Sequence, residues 1–176
     1  MRNIVIPPNV VISTFSAECV GTHFYTEYAQ GSVASAIWPV AAQALFLPFT
    51  IYTSMTIVQF SCVNGLAVAG NFDIGVYDIN GRLKIATGAT AQVGADNLQW
   101  TPVAATTIGS GKYYLAMSCS GIVGQYYRVT AAANGVTSTW GMAQMAAAHP
   151  LPAIATLATI TGNYVPFFGV NNRVMV

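Results

Sequence analysis

The apolar residues of this 176-residue chain recur mostly at every second position, in short runs that Gly, Asn, Ser and Pro separate. A period of two places alternate side chains on opposite faces of an extended strand, whereas a helix has a period of 3.6 residues. Because many short strands with turn residues between them are typical of all-β folds, we expect an antiparallel β-sandwich with a jelly-roll-like arrangement. The pattern predicts strands at 10–15, 44–52, 56–62, 72–79, 83–87, 98–101, 112–118, 126–130 and 164–168.

The clearest hairpin signal is the segment 70–88, GNFDIGVYDINGRLKIATG. Asn80 and Gly81 both tolerate the positive φ of a tight turn, so we predict that the chain reverses there. Alternation places Asp73, Gly75 and Tyr77 on the strand face opposite the core. The predicted core consists of large apolar side chains from four of these strands: Phe46, Phe49, Phe60, Phe72, Ile74, Val76, Leu115 and Met117.

The same hairpin carries four charged side chains, Asp73, Asp78, Arg82 and Lys84. Five positions separate the two aspartates, and an unbroken strand therefore places them on opposite faces, which disfavours a shared metal or a catalytic carboxylate pair. We interpret these charges as decoration of the hairpin, with a lysine or arginine pairing across it to an aspartate.

Charged residues make up only 6% of the chain, against about 25% in an ordinary soluble domain. Such a surface does little to oppose self-association. Three explanations could account for so few charged residues: membrane insertion, cover by partner subunits, or solvation by uncharged polar residues. Membrane insertion is disfavoured because the most apolar stretch, 141–160, contains Pro150 and Pro152. Nucleic-acid binding is disfavoured because the six Lys and Arg residues are scattered singly.

The chain lacks the local motifs of the common catalytic and cofactor sites, such as G-x-S-x-G or a glycine-rich phosphate loop. His23 and His149 are its only histidines, and they do not form an HxxxH pair. We therefore expect no enzymatic activity, no cofactor and no metal site. The cysteines Cys19, Cys62 and Cys119 form no CxxC pair, so we expect free, buried thiols in a reducing compartment.

Two groups of residues are candidate contacts. Aromatic rings beside Asn and Gln suit sugar stacking or a protein interface, and the candidates for a glycan or partner contact are Trp38, Trp140 and Tyr127. Residues 1–9 form an N-terminal arm that Pro7 and Pro8 keep extended. Its apolar tip is predicted to contact another subunit by strand addition, and the interface residues are Asn3, Ile4, Val5 and Ile6.

Four segments together carry a resemblance to a known group of proteins: ALFLPFTI (44–51), GNFDIGVYDINGRLKIATG (70–88), GSGKYYLAMSC (109–119) and AHPLPAIATLATITGNYVPFFGV (148–170). They resemble the β-sandwich modules encoded among the virion genes of tailed bacteriophages. The resemblance covers 38–170 of one domain, 1–176, and leaves 10–37 as further strands or an interface segment.

The resemblance implies a non-enzymatic structural protein of the virion, assembled in the bacterial cytoplasm as a capsid-decoration, tail or fibre component. Its partners would be copies of itself and other virion proteins. The alternative hypothesis is a carbohydrate- or receptor-binding β-sandwich module, and the two overlap if the particle protein also touches a host-surface glycan.

Overall fold

The computed structural model describes residues 19–21, 33–129, 137 and 141–172. Nearly all the regular structure in these ranges is strand. In chain order the strands are β1 (Cys19–Gly21), β2 (Val33–Ile37), β3 (Ala44–Ile51), β4 (Met55–Val63), β5 (Asn71–Asp78), β6 (Leu83–Ala86), β7 (Thr90–Ala91), β8 (Leu98–Ile108), β9 (Gly111–Cys119), β10 (Gln125–Val129), β11 (Ala143–Met145), β12 (Ala158–Thr159), β13 (Val165–Pro166) and β14 (Phe168–Asn171).

The strands form an antiparallel sandwich. One layer is a seven-stranded sheet with the order β12-β11-β3-β9-β5-β6, in which β7 also pairs with β5. The other layer combines a four-stranded sheet, β1-β14-β4-β8, with a three-stranded sheet, β13-β10-β2. Phe167 links these two sheets, because its N–H donates to Tyr127 O and its carbonyl accepts from Val63 N, both at 3.0 Å. Consecutive strands cross between the layers at β2–β3, β3–β4, β4–β5, β7–β8, β8–β9, β9–β10, β10–β11 and β12–β13, which is consistent with the predicted jelly-roll-like sandwich.

The main core lies between the two layers, and all eight predicted core residues are buried. Phe72, Ile74 and Val76 face inward from β5, as their alternation predicts, and pack in one cluster with residues of the opposite layer such as Phe60. Phe46 is also buried, but it belongs to a second, smaller cluster on the outer face of the seven-stranded sheet. Full burial of each large apolar side chain stabilises the fold by roughly 1.5–3 kcal/mol.

The hairpin between β5 and β6 turns where the sequence predicts. Gly81 has a φ of 74°, and Gly81 N donates to Asp78 O at 3.0 Å. Asp78 Oδ1 accepts from Asn80 N and Arg82 N, and these bonds lower the pKa of the Asp78 carboxyl. Lys84 Nζ pairs with Asp78 Oδ2 at 2.9 Å, so for this aspartate the prediction of a pair with a lysine or arginine across the hairpin is confirmed.

Asp73 contradicts the interpretation of all four charges as hairpin decoration, because it is only 1% exposed. The segment 147–155, which we call the strap, crosses the outer face of the seven-stranded sheet and covers it. Leu151 N in the strap donates to Asp73 Oδ2 at 2.9 Å, and Tyr77 Oη donates to Pro152 O at 2.7 Å. Alternation separates the two faces of β5 correctly, but it does not reveal that a later segment buries the second face.

The strap is also bonded to the hairpin itself. Leu83 N donates to Ala153 O at 3.0 Å, and Ala155 N donates to Gly81 O at 2.7 Å. Apolar side chains of the strap complete the smaller cluster with Phe46 and Tyr77. The strap therefore acts as a third layer over part of the sandwich.

Most other sequence predictions agree with the described residues. The strand predicted at 98–101 extends to Ile108, and the one at 164–168 is divided into β13 and β14. Cys62 and Cys119 are free and buried, as expected. The strand predicted at 10–15, the arm residues Asn3, Ile4, Val5 and Ile6, and Trp140 lie outside the described residues.

Candidate functional site at the loop end

Four connections meet at one end of the sandwich, as the strand register shows. Ile37 is opposite Gln125, Ala44 is opposite Ser118, and Val63 is opposite Leu98, so the connections beside these pairs leave the sheets on the same side. We call the resulting surface the loop end, and define it as residues 37–43, 64–70, 92–98 and 120–124.

Side-chain amides hold the loop end together from inside. Asn64 is fully buried, and its Nδ2 donates to Val93 O at 2.6 Å and to Gln99 Oε1 at 2.9 Å. Gln92 Nε2 donates to Asn64 Oδ1 at 3.2 Å and to Gln125 O at 2.6 Å. These amides exchange hydrogen bonds with one another and with the loop backbones, so their burial avoids the penalty of unsatisfied polar groups.

Backbone hydrogen bonds also join the loops directly. Gly65 N donates to Gln125 O, Gln125 N donates to Ala67 O, and Asp96 N donates to Gly65 O, each at 2.8 Å. Loop 38–43 is attached through Ala42 N, which donates to Cys119 O at 2.9 Å. Such bonding fixes the relative positions of the loops, so the loop end presents a preorganised surface.

The outer surface of the loop end is apolar. Eleven large apolar side chains are exposed within the described ranges, and eight of them belong to this end. Of these eight, the most exposed are Val123 at 70% and Leu66 at 67%. The complete set is Ile37, Val40, Leu66, Val68, Val93, Leu98, Ile122 and Val123, whereas the three elsewhere are Tyr52, Ile79 and Ile154.

Charged residues, unlike the exposed apolar ones, are concentrated at the other end of the sandwich. Asp96 is the single charged residue in the four ranges of the loop end. Its carboxylate accepts a hydrogen bond from Tyr127 Oη, which raises the pKa of the tyrosine. The far end of the sandwich carries Asp78, Arg82, Lys84 and Lys112, and we call it the charged end. The sandwich is thus polarised along its strands, with one rigid apolar end and one charged end.

A second polar group lies beneath the strap and was not found by sequence reasoning. Ser118 Oγ is 3.1 Å from His149 Nδ1, and Ser118 is the strand neighbour of Asp73. Burial lowers the pKa of His149, whereas the nearby Asp73 carboxylate acts in the opposite direction. Burial raises the pKa of Asp73 itself.

This Ser, His and Asp grouping does not have the geometry of a hydrolase triad. A nucleophilic serine must meet its substrate, but Ser118 is fully buried. Asp73 Oδ1 accepts from Thr87 Oγ1 and Oδ2 accepts from Leu151 N, so the aspartate is engaged by the hairpin and the strap. The group therefore anchors the strap to the sheet.

The two aromatic candidates within the described residues, Trp38 and Tyr127, differ in their exposure. Trp38 is fully buried, its Nε1 donates to Gln43 O at 2.9 Å, and its ring packs edge-on against Tyr126 and Tyr164. The prediction that Trp38 offers its ring to a glycan or partner is therefore wrong, because the ring is part of the core. Tyr127 is partly exposed and is bonded to the loop end through Asp96.

A shallow groove of about 120 Å³ lies beside Trp38, between the loop 38–43 and residues 160–164. Its polar side chains are bonded to one another, since Gln43 Nε2 donates to Gln144 Oε1 at 3.0 Å and Gln144 Nε2 donates to Thr161 Oγ1 at 3.2 Å. Ligand pockets are usually about 300–1,000 Å³, so this groove is small for a saccharide chain.

The described residues form neither a metal-binding cluster nor a membrane-spanning helix. Within the described ranges, no cluster of three or more His, Cys, Asp or Glu side chains is arranged to hold a metal ion. The part of the chain that the structure describes contains no helix with the length and apolarity needed to cross a membrane. The chain matches no protein-family model, no curated protein and no solved structure.

Proposed function

We propose that this chain is a non-enzymatic structural protein of a bacteriophage virion, present in multiple copies as a capsid-decoration, tail or fibre component, and that the loop end is one of its assembly contacts. The observation that carries the proposal is the concentration of exposed apolar side chains, such as Leu66 and Val123, on one rigid end of the sandwich. Monomeric proteins rarely expose apolar patches above about 300–600 Å², and larger ones usually mark interaction surfaces.

Other features support the same proposal. A chain with 6% charged residues gains little solubility from charge, and repeated subunit contacts would bury what a monomer leaves exposed. The free thiols of Cys62 and Cys119 fit folding in a reducing cytoplasm, where virions assemble. The rigid hydrogen bonding of the loops reduces the entropy that a partner must remove on binding.

A mass-spectrometric inventory of purified virions, with copy numbers, tests the proposal. The expected result is that the chain is retained on intact particles in many copies, in a fixed ratio to the major capsid or tail protein. The proposal is wrong if the chain is made during infection but is absent from purified particles.

The alternative of a carbohydrate- or receptor-binding module has less support, because Trp38 is buried and the groove beside it is small. A glycan array probed with the purified protein separates the two. Binding that Tyr127→Ala abolishes, with the fold intact, would favour the alternative over the structural role.

A further inference from the structure

We propose that the partner of the loop end is the loop end of a second copy, so that two sandwiches pair end to end about a two-fold axis. This inference rests on the proposed function, since it names the partner of the assembly contact described above. It adds the symmetry of that contact, which the proposed function leaves open.

The distribution of charge favours a symmetric pairing. In an isologous contact the same surface appears on both sides, so the apolar loop end would meet another apolar surface. A head-to-tail contact would instead press the loop end against the charged end. It would remove Arg82 and Lys112 from water, together with the Lys84–Asp78 pair, although the loop end offers only Asp96 in return. Burying charges without partners is costly, which disfavours the head-to-tail arrangement.

The area available is also sufficient. The eight exposed apolar side chains of the loop end present on the order of 700 Å² of accessible surface, close to the roughly 800 Å² that each partner contributes to a standard interface. An anionic membrane or a nucleic acid is disfavoured as the partner, because the four ranges of the loop end contain no Lys or Arg.

The first part of the test is self-association measured by sedimentation velocity over a range of concentrations. Val123→Asp places a charge at the most exposed apolar position of the loop end and should raise the dissociation constant roughly tenfold or more. The matched control is Ile79→Asp, since Ile79 is also exposed, at 60%, but lies in the hairpin turn at the charged end. It should associate like the wild type, and circular dichroism checks that both variants fold.

The second part measures symmetry by cross-linking single-cysteine substitutions with a short bis-maleimide. Leu66→Cys, Val93→Cys and Val123→Cys are tested one at a time, and two-fold pairing predicts that at least one of them cross-links to itself. Ile79→Cys should give no more than the wild-type chain, which reports the background from native thiols.

The outcomes separate this inference from the proposed function. If Val123→Asp abolishes association but cross-links form only in mixtures of a loop-end cysteine with Ile79→Cys, the pairing is head to tail and the two-fold inference is wrong, while the loop end remains a contact. If the wild type is monomeric at all concentrations, or if Val123→Asp associates normally, the inference is also wrong.

Two further measurements test whether something other than a second copy covers the loop end. If deletion of residues 1–8 turns a monomeric protein into one that associates through the loop end, the N-terminal arm of the same chain covers that surface. If the protein instead binds phosphatidylcholine vesicles and Val123→Asp prevents this, the partner is a lipid surface. Either result contradicts end-to-end pairing of two copies.

Discussion

Gly81 and Gly88 offer a test of how the strap is seated on the hairpin. Both glycines have nearly the same positive φ, 74° and 68°, so replacement by alanine imposes a similar backbone strain at each site. Their surroundings differ. A Cβ on Gly81 would clash with Ala155 O, whereas a Cβ on Gly88 would meet no atom within 4 Å. The pair of variants therefore separates the strain of the turn from the contact with the strap.

We expect Gly88→Ala to lower the free energy of unfolding by about 1 kcal/mol, because the cost of a left-handed alanine is partly offset by a less flexible unfolded chain. In Gly81→Ala the Ala155 carbonyl must also move away. That movement strains the 2.7 Å bond from Ala155 N to Gly81 O and the neighbouring strap contacts. Adding a lost hydrogen bond and local repacking gives a total of roughly 2–4 kcal/mol.

Urea denaturation of both variants, followed by far-UV circular dichroism, measures the two losses. In a chain of this size each kcal/mol corresponds to about 2–4 °C in Tm, so thermal melting provides an independent check. Equal destabilisation of the two variants would refute the reasoning, because it would mean that Ala155 does not restrict the space above Gly81.

Three further predictions concern the core, the buried thiols and the buried carboxyl. Val76→Asp should place an unpaired charge between the layers and abolish cooperative unfolding, and a near-native melting curve would contradict the assignment of Val76 to the core. Burial raises the pKa of both Cys62 and Cys119, so these thiols should react with a maleimide only after denaturation, and rapid modification of the native protein would be inconsistent with their position. Burial also raises the pKa of Asp73 above its ordinary 3.8, so the native state keeps this proton to a higher pH than the unfolded chain does. The contribution of Asp73 to the free energy of unfolding therefore falls as pH rises through its folded pKa. The free energy of unfolding of the wild type minus that of Asp73→Asn, measured in urea at several pH values, should therefore fall as pH rises in that range. A difference that does not change with pH would contradict this prediction.

The parts of the fold that depend on local pattern could be predicted from the sequence. Phe72, Ile74 and Val76 alternate strictly, and their burial follows from the geometry of a strand. The turn at Asn80-Gly81 follows equally from local chemistry, since Gly81 adopts the positive φ that such turns require.

Features that depend on distant segments could not be predicted in the same way. The burial of Asp73 requires the strap, and 147–155 shows no periodicity that would indicate where it packs. The interpretation of Trp38 as a glycan or partner contact rests on its aromatic ring alone, whereas its packing partners Tyr126 and Tyr164 are far away in the sequence.

The loop end was missed because it depends on which turns converge in space. Alternation cannot distinguish an exposed Leu66 or Val123 from a core residue, and the amide cluster around Asn64 joins residues up to 35 positions apart in sequence. One signal was available in the sequence: segments 64–70 and 120–124 are rich in glycine, as turns are, yet they also contain aliphatic side chains where turns usually have polar ones.

Hydroxyl-radical footprinting of the assembled and the dispersed protein tests most directly whether the loop end is the assembly contact. Mass spectrometry would compare oxidation of Leu66 and Val123 in the two states, with Tyr52, which is 81% exposed in the loop between β3 and β4, as the internal control. The account predicts that assembly protects Leu66 and Val123 severalfold and leaves Tyr52 as reactive as before. Equal oxidation of Leu66 and Val123 in both states, with protection of Tyr52 instead, would contradict it.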